Sequence, residues 1–303
     1  MFLRALLADK RSATGVGLVG LVGALALLAP WIAPADPLMQ TDVLRTRFLA
    51  PFTPGPDGMM RWLGTDQLGR DILSRLLYGA RISLAIGVLA ALLAVVVGMA
   101  VGAGAAIFGK RTEQVLMALT DAALALPRLV LLLALVALFE PSLWLVVTVL
   151  GLTGWMPIAR LVRAEVKGLL ARPFVDAAVV AGADRWLLLR RHLLPNALTP
   201  VLVATALGVG NAIALEAGLA FLGLGVPAPA PSWGNMIASG REALVHAPWI
   251  ATVPGLALVV AIVAFNLIGD GARDALDPSV ATRGRVPSAP RAGGGKGRDE
   301  RVP

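Results

Sequence analysis

The chain has 303 residues, of which 57% are hydrophobic and 15% are charged, and its formal net charge is +8. A soluble domain carries about 25% charged residues, so this composition excludes an ordinary soluble protein and indicates an integral membrane protein. With 5% aromatic residues and no cysteine, the sequence predicts an all-α membrane fold packed on small residues, and it excludes disulfides, thiolate catalysis and cysteine-ligated metals.

Apolar runs near the bilayer-spanning length of roughly 20 residues divide the chain. They predict about six transmembrane helices, at residues 14–34, 83–108, 115–139, 143–164, 197–221 and 248–269. The first run exceeds the roughly 7 to 15 residues of a signal-peptide core. We therefore interpret residues 1–34 as a short cytoplasmic segment and an uncleaved anchor helix, although Ala33-Pro34-Ala35 resembles a cleavage site.

Lysine and arginine lie mostly on one side of this predicted bundle. The loop at 35–80 holds five Arg and five Asp, whereas the segments on the other side hold most of the 27 basic residues. Since cytoplasmic loops carry the excess of positive charge, we expect the loop at 35–80 to be external and both termini to be cytoplasmic. Residues 278–303 are rich in Pro, Gly and Arg and are expected to form a disordered basic tail. Topology thus explains the net charge without a nucleic-acid partner.

Two features suggest catalysis but fit it poorly. Residues 104–110 match the start of a phosphate-binding loop, but Arg111 stands where a Ser or Thr would bind magnesium, and the segment ends a membrane helix instead of following a strand. A hydrolase would need a nucleophile facing a base. His192 falls in a basic cytoplasmic loop and His246 at the outer edge of the last span, so we expect no catalysis by this chain.

Glycines in the first two spans predict close helix packing. Gly15, Gly17 and Gly20 satisfy the dinucleotide-binding pattern GxGxxG, but they lie inside an apolar helix with no preceding strand. Gly98 and Gly102 are spaced by four residues, as in helices that approach each other closely. Packing is the better interpretation of both groups.

The cytoplasmic loop at 172–196 has the pattern of two short helices. Pro173 fits the first turn of a helix, Ala177 and Ala178 permit close approach to another surface, and Gly182 fits a left-handed helix end. A second helix is predicted at 184–195. The alternative interpretation is that both helices only connect spans and lie in the membrane interface.

This loop resembles a known coupling element. Asp176-Ala177-Ala178, Gly182 and the run 192–196 (HLLPN) resemble the EAA loop of ABC importer permeases, whose short helix sits in a groove of a separate ATPase. Asp176 replaces the usual Glu of the triplet, and Val179 follows it where the family often has Arg. Both changes affect polar contacts to the ATPase, whereas Ala177, Ala178 and Gly182 keep the steric pattern of the loop.

Further segments resemble the C-type permease subunit of the dipeptide, oligopeptide and nickel ABC importers. They are 63–71 (LGTDQLGRD), 78–83 (YGARIS), 119–127 (LTDAALALP), 221–225 (FLGLG), 231–236 (PSWGNM) and 266–278 (NLIGDGARDALDP). The resemblance implies a type I, MetI-like permease bundle, with its core at 81–277, in a bacterial inner membrane. It also implies ATPase coupling by Asp176, Ala177, Ala178, Gly182, Asp184, His192 and Pro195.

The resemblance also implies partners and a class of cargo. The expected partners are a homologous B-type permease, two ATP-binding subunits, an extracytoplasmic solute-binding protein and membrane lipid. ATP and magnesium would belong to the ATP-binding subunits, and this chain would hold no cofactor or metal. Peptides are the expected cargo, although glutathione and nickel chelates are also carried within the family.

Four polar residues within the predicted spans are candidates for the translocation pathway, because ionisable groups in a bilayer usually face a cavity or a partner. Asp121 and Arg128 are seven residues apart, so on one straight helix they would share a face about 10 Å apart, too far to pair directly. Asn211 and Glu216 precede Phe221 in the fifth span by ten and five residues and suggest lining or gating. The alternative for all four is hydrogen bonding between helices.

The external segment at 226–248 contains three prolines followed by a short helical pattern at 232–239. It is expected either to cap the cavity or to contact the binding protein, and a plain external loop is equally compatible. The candidate residues for an external gate or for contact with the binding protein are Phe221, Ser232, Trp233 and Asn235.

Two other classes of protein compete with the importer. A stand-alone secondary carrier would need charge pairs or broken helices near the midplane in both halves of a repeat, and the sequence shows no such symmetry. A membrane scaffold without transport fits the composition but does not explain the loop at 172–196.

Overall fold

The computed structural model describes residues 9–40 and 42–276. The expectations for residues 1–8 and for a disordered tail at 278–303 lie outside these residues. The helices and strands in chain order are α1 (Lys10–Ile32), α2 (Val43–Thr46), β1 (Thr53–Pro54), β2 (Met60–Arg61), α3 (Ile72–Ile107), α4 (Lys110–Ala125), α5 (Arg128–Ala137), α6 (Leu143–Leu152), α7 (Trp155–Leu170), α8 (Pro173–Val180), α9 (Arg185–Leu188), a π-helical turn (Leu189–Leu193), α10 (Leu194–Phe221), α11 (Trp233–Gly240), a 3₁₀ turn (Arg241–Ala243) and α12 (Trp249–Leu276).

The predicted all-α bundle of about six spans is confirmed. In the described part of the chain, five helical stretches are long and apolar enough to cross a membrane, and α4 with α5 supplies a sixth if the bent pair is one span. The five stretches are Lys10–Ile32, Ile72–Ile107, Leu143–Leu170, Arg185–Phe221 and Trp249–Asp274. The second span starts earlier than the predicted residue 83, because the carboxylate of Asp71 accepts a 2.7 Å hydrogen bond from the backbone N–H of Ser74 and caps α3 there.

Small residues on α3 place this helix at the centre of the bundle. A Cβ atom added to Gly102 would lie 2.4 Å from the carbonyl oxygen of Ala159, and one added to Gly98 would lie 2.7 Å from Cβ of Ile158. Helix α7 therefore packs directly on the backbone of α3, and the predicted close packing at Gly98 and Gly102 is confirmed.

The three glycines of α1 differ from one another. A Cβ at Gly15 would lie 2.7 Å from the carbonyl oxygen of Ala264 in α12, so close packing explains this residue. A Cβ at Gly17 or Gly20 would meet no heavy atom within 4 Å among the described residues. The packing interpretation is therefore wrong for these two glycines within this chain, since they lie on a face of α1 that no described segment covers.

The sequence suggested one straight helix for the third span, but the structure has two helices there, α4 and α5. Leu126 is extended and Pro127 is non-helical between α4 and α5, and the axes of the two helices differ by 86°. Proline lacks a backbone N–H and disfavours helical geometry at the preceding residue, so the break falls where Pro127 stands. Asp121 and Arg128 consequently lie on separate helices and do not share a helical face.

The second helix of the loop at 172–196 does not stop at Pro195. It continues through the π-helical turn into α10, and the backbone N–H of Leu194 bonds the carbonyl of Leu189, five residues back. Because Pro195 falls in the first turn of α10, its missing donor is tolerated there. The predicted end at Pro195 is wrong, and α9 to α10 form one continuous rod across the bundle.

Buried charges fold the segment between α1 and α3. The carboxylate of Asp66 accepts a 2.7 Å hydrogen bond from Nε of Arg70 and lies 3.6 Å from Nε of Arg75. Arg75 also donates to the carbonyl oxygen of Pro37, at 3.3 Å. All three charged side chains are at most 8% exposed, so this segment is an ordered cap at the end of the bundle that also carries α11.

Candidate functional site

Helix α8 lies at the end of the bundle opposite α11 and begins and ends at the residues that the sequence indicated. Pro173 occupies its first turn, and Gly182 has a φ of +90° just beyond its last turn. The N–H of Gly182 bonds the carbonyl of Val179 at 2.9 Å, and that of Ala183 bonds the carbonyl of Ala178 at 3.0 Å. These bonds close the helix end in the way that a left-handed glycine allows.

One face of α8 is anchored and the other is exposed. Val175 is 4% exposed, whereas Phe174, Val179 and Val180 are 41%, 54% and 89% exposed. Asp176 and Ala177 are also exposed and Ala178 is half-buried. An exposed apolar surface of this kind is typical of a contact with another protein or with the membrane interface.

The segment that follows α8 holds the remaining predicted coupling residues. Asp184 caps α9 by accepting a 2.6 Å hydrogen bond from the N–H of Leu187. The ring of His192 lies 6.5 Å from the ring of Phe174, and the carbonyl of His192 accepts a 2.5 Å hydrogen bond from the Asn196 amide. Capping and ring contact thus hold α9 and the π-helical turn beside α8.

An apolar cluster fixes α8 and α9 to the bundle. Val175, Leu188, Leu189 and Leu193 are buried together with side chains of α3, α7 and α10, namely Ala103, Ile158, Val162, Val166, Ala197 and Val201. This shared cluster therefore packs α8 and α9 directly against α7 and α10.

Ion pairs connect α7 to α4. Arg160 bonds Asp121 at 2.5 Å, Lys167 bonds Glu113 at 2.5 Å, and Arg163 also bonds Glu113. Asp121 therefore bonds a neighbouring helix, which is the alternative to a place in the translocation pathway that the sequence left open. The contribution of Glu113 and its partners was not predicted, although basic residues at the i, i+3 and i+7 positions of one helix face are a signal for it.

A cavity of about 410 Å³ lies between α3, α5, α6, α7 and α10. It brings together two of the four predicted pathway residues, Arg128 and Asn211, whereas Asp121 and Glu216 are not among its lining residues. The rest of the wall is small or apolar and comprises Ala90, Ala91, Ala94, Leu150, Gly154, Pro157, Ile158, Leu161, Ala204, Thr205, Leu207, Gly208 and Ala212.

Glu216 is fully buried and bonds the segment at 226–248 instead of lining this cavity. Its carboxylate accepts a 2.8 Å hydrogen bond from the hydroxyl of Ser232. Ser232 also caps α11, where its hydroxyl accepts from the N–H of Asn235 at 3.1 Å and its own N–H donates to the Asn235 side chain at 3.0 Å. The Glu216–Ser232 bond thus joins α10 to α11.

The external residues predicted to contact another protein separate into two groups. Ser232 and Trp233 are 0% and 1% exposed, so a direct contact by these two side chains is not available in this conformation. Trp233 instead donates from its indole to the carbonyl of Leu76 at 3.1 Å. Phe221 is 45% exposed, and the guanidinium of Arg241 lies 5.4 Å from its ring centre.

Comparison with known proteins places these features in a family. Residues 94–282 match the family described as "Binding-protein-dependent transport system inner membrane component". The chain is 40% identical over 273 residues to the di/tripeptide transport system permease protein DppC of Pseudomonas aeruginosa, covering 90% of this chain and 89% of that protein. It is 38% identical over 272 residues to the oligopeptide transport system permease protein OppC of Bacillus subtilis, covering 90% and 87%.

A solved structure has the same fold. The chain aligns with a structure of the MetNI methionine ABC transporter in an inward-facing conformation, with a TM-score of 0.55 and 20% sequence identity. The alignment covers 67% of this chain and 97% of the matched chain. At this identity the likeness shows the fold alone.

Proposed function

The chain belongs to the family of binding-protein-dependent transport system inner membrane components, and on that premise we propose that it is a permease subunit of an ATP-driven peptide importer. The observation that carries the proposal is the exposed apolar face of α8, held rigidly on the bundle by Val175. Peptide cargo is supported by the relatives, since the DppC and OppC permeases are named for di/tripeptide and oligopeptide transport.

We orient the chain with α8 at the cytoplasmic side of a bacterial inner membrane. The support is the excess of Lys and Arg in the segments on that side and the balanced charge of the segment at 35–80. Both termini are then cytoplasmic, the core permease domain at 81–277 extends outward to Ile72, and α11 with the Asp66 cap faces the outside.

The chain contributes half of a translocation pathway. Its partners are a homologous B-type permease, two ATP-binding subunits that hold ATP and magnesium, and an external solute-binding protein. The contact with the ATP-binding subunits is made by α8 and by the residues next to it, Asp184, His192 and Pro195. This chain then transmits energy and hydrolyses nothing.

Transport follows from the connections of α8. Closure of the ATP-binding subunits displaces α8, and the cluster around Val175 and Leu193 carries the displacement into α7 and α10. Arg160 pulls Asp121, and with it α4, along with α7. Since α5, α7 and α10 all line the cavity that holds Arg128 and Asn211, their relative movement opens it to one side of the membrane at a time.

Uptake by reconstituted complex tests this proposal against a secondary carrier. The complex purified through a tag on this chain is placed in liposomes with its binding protein and radiolabelled dialanine or trialanine. We expect accumulation that requires ATP on the α8 side. Accumulation driven by a proton or sodium gradient without ATP would refute the importer.

A further inference from the structure

Arg128 occupies a position that is unfavourable for a cation on two grounds. It is the first residue of α5, where the helix macrodipole favours negative charge. It also lies at the bend between α4 and α5, which together are long and apolar enough to cross a membrane, and an ionised side chain within a membrane is costly unless it is paired or faces a water-filled cavity. Neither helix formation nor membrane insertion explains an arginine here, so a ligand for the charge is indicated.

Within the described residues, the guanidinium of Arg128 has no acidic partner. Its Nη2 donates to the carbonyl oxygen of Leu150 at 3.2 Å, and its Nε is buried and has no hydrogen-bond partner. The cavity that it lines includes no Asp or Glu among its lining residues. By contrast, the arginines of α7 next to the cavity, Arg160 and Arg163, each bond a carboxylate.

The surroundings leave room for a ligand beside this guanidinium. A Cβ atom at Gly154 would lie 3.2 Å from Nη2 of Arg128, so the absence of a side chain at Gly154 keeps the guanidinium uncrowded. Asn211 and Thr205 of α10 supply polar groups to the lining of the same cavity of about 410 Å³. This volume accommodates a short peptide end.

We propose that Arg128 binds the terminal carboxylate of the transported peptide in this cavity. The N–H groups of the two terminal nitrogens of the guanidinium, Nη1 and Nη2, match the two oxygens of a carboxylate, and such paired contacts are the geometry that arginine recognises best. The inference rests on the proposed function, because it takes peptides as cargo. It adds that the permease itself reads the free C-terminus, in addition to any selection by the binding protein.

Uptake of dialanine and of its C-terminal amide tests the proposal. Both are supplied at concentrations that saturate the binding protein, with their binding-protein affinities measured separately. We expect the wild-type complex to import the free acid faster than the amide, and R128Q to lower import of the free acid by about tenfold or more while changing import of the amide little. R128K keeps the positive charge but loses the planar guanidinium, so it should retain part of the preference for the free acid over the amide. R47Q changes an exposed arginine outside the cavity and is the control, which should retain the whole preference.

The possible failures are distinguishable. Equal loss of acid and amide uptake in R128Q would overturn the proposal and point to a carboxylate on the partner permease as the true ligand. Unchanged uptake of both in R128Q would overturn it as well. If R128Q does not assemble, R128K is the test. An R128K complex that prefers the free acid as strongly as wild type does would refute carboxylate binding by the planar guanidinium. Absence of uptake of either compound by the wild-type complex would instead refute the proposed function.

Discussion

Arg160 of α7 donates two hydrogen bonds to the same carboxylate oxygen of Asp121 in α4, at 3.0 Å from Nε and 2.5 Å from Nη2. Among the described residues of α4, Thr120 is the one that is buried. Charge pairs therefore contribute much of the contact between α4 and α7, and we infer that α4 follows α7 through them when α8 moves.

Exchange of these two charges tests the connection. The side chains are 56% and 53% exposed, and such a pair stabilises a fold by about 0.2–1 kcal/mol, so Asp121→Arg and Arg160→Asp should each change the Tm little. Each single variant should hydrolyse ATP without matching peptide uptake, because like charges then push α4 away from α7. The double variant should recover coupling, measured as peptide imported per ATP. A double variant no better than the two single variants contradicts the connection.

Loss of the bond between Glu216 and Ser232 should destabilise the end of the bundle that carries α11. Ser232→Ala removes the donor to a fully buried carboxylate, a loss of about 1–3 kcal/mol, and it removes the cap of α11, a further loss of about 1 kcal/mol. Thermal unfolding in detergent measures the effect. Ser239→Ala is the matched control, since its hydroxyl donates only to a carbonyl of its own helix, that of Met236. Equal melting temperatures for the two variants would contradict the role of Ser232.

Two glycine-to-alanine changes should have opposite signs. A Cβ at Gly102 would lie 2.4 Å from the carbonyl oxygen of Ala159, so Gly102→Ala should force α3 and α7 apart and cost about 1–3 kcal/mol. Gly20→Ala meets no described atom within 4 Å and should be neutral or stabilise by up to about 1 kcal/mol, since alanine favours helix. Unfolding of both variants in the same detergent gives the comparison, and a similar loss for both would refute the packing.

The backbone of Gly182 should matter more than the space around it. Its φ is +90°, and a Cβ there would meet no described atom within 4 Å. Asn tolerates left-handed geometry, whereas a β-branched residue does not. Gly182→Asn should therefore keep peptide uptake near that of wild type, and Gly182→Val should lower it severalfold by misdirecting the end of α8. Identical peptide uptake by the two variants would contradict the claim that α8 needs a left-handed residue at position 182.

Local signals in the sequence predicted α8 well. Pro173 and Gly182 act through their own backbone geometry, so their effect is visible without knowledge of the rest of the fold. Composition likewise predicted the class of fold, since an apolar content this high requires a bilayer.

Contacts between distant segments were not predictable in the same way. The break at Pro127 separates Asp121 from Arg128, and only the packing of α4 on α7 brings Arg160 to Asp121. The sequence suggested Trp233 as a residue that caps the cavity or contacts another protein, yet its side chain is buried because α11 packs on α3. Such outcomes depend on the arrangement of helices, which no short sequence window contains.

Co-purification with the ATP-binding subunits tests the role of α8 most directly. Val180 on α8 is 89% exposed and Val245, beyond α11 at the opposite end, is 87% exposed, so neither Val180→Asp nor Val245→Asp should affect folding. We predict that Val180→Asp lowers the amount of ATP-binding subunit recovered with the tagged chain by about tenfold or more, because a charge then replaces an apolar side chain at the proposed contact and is costly to bury there. Val245→Asp should recover as much as wild type. Wild-type recovery with Val180→Asp, or equal loss with both variants, would contradict docking through α8.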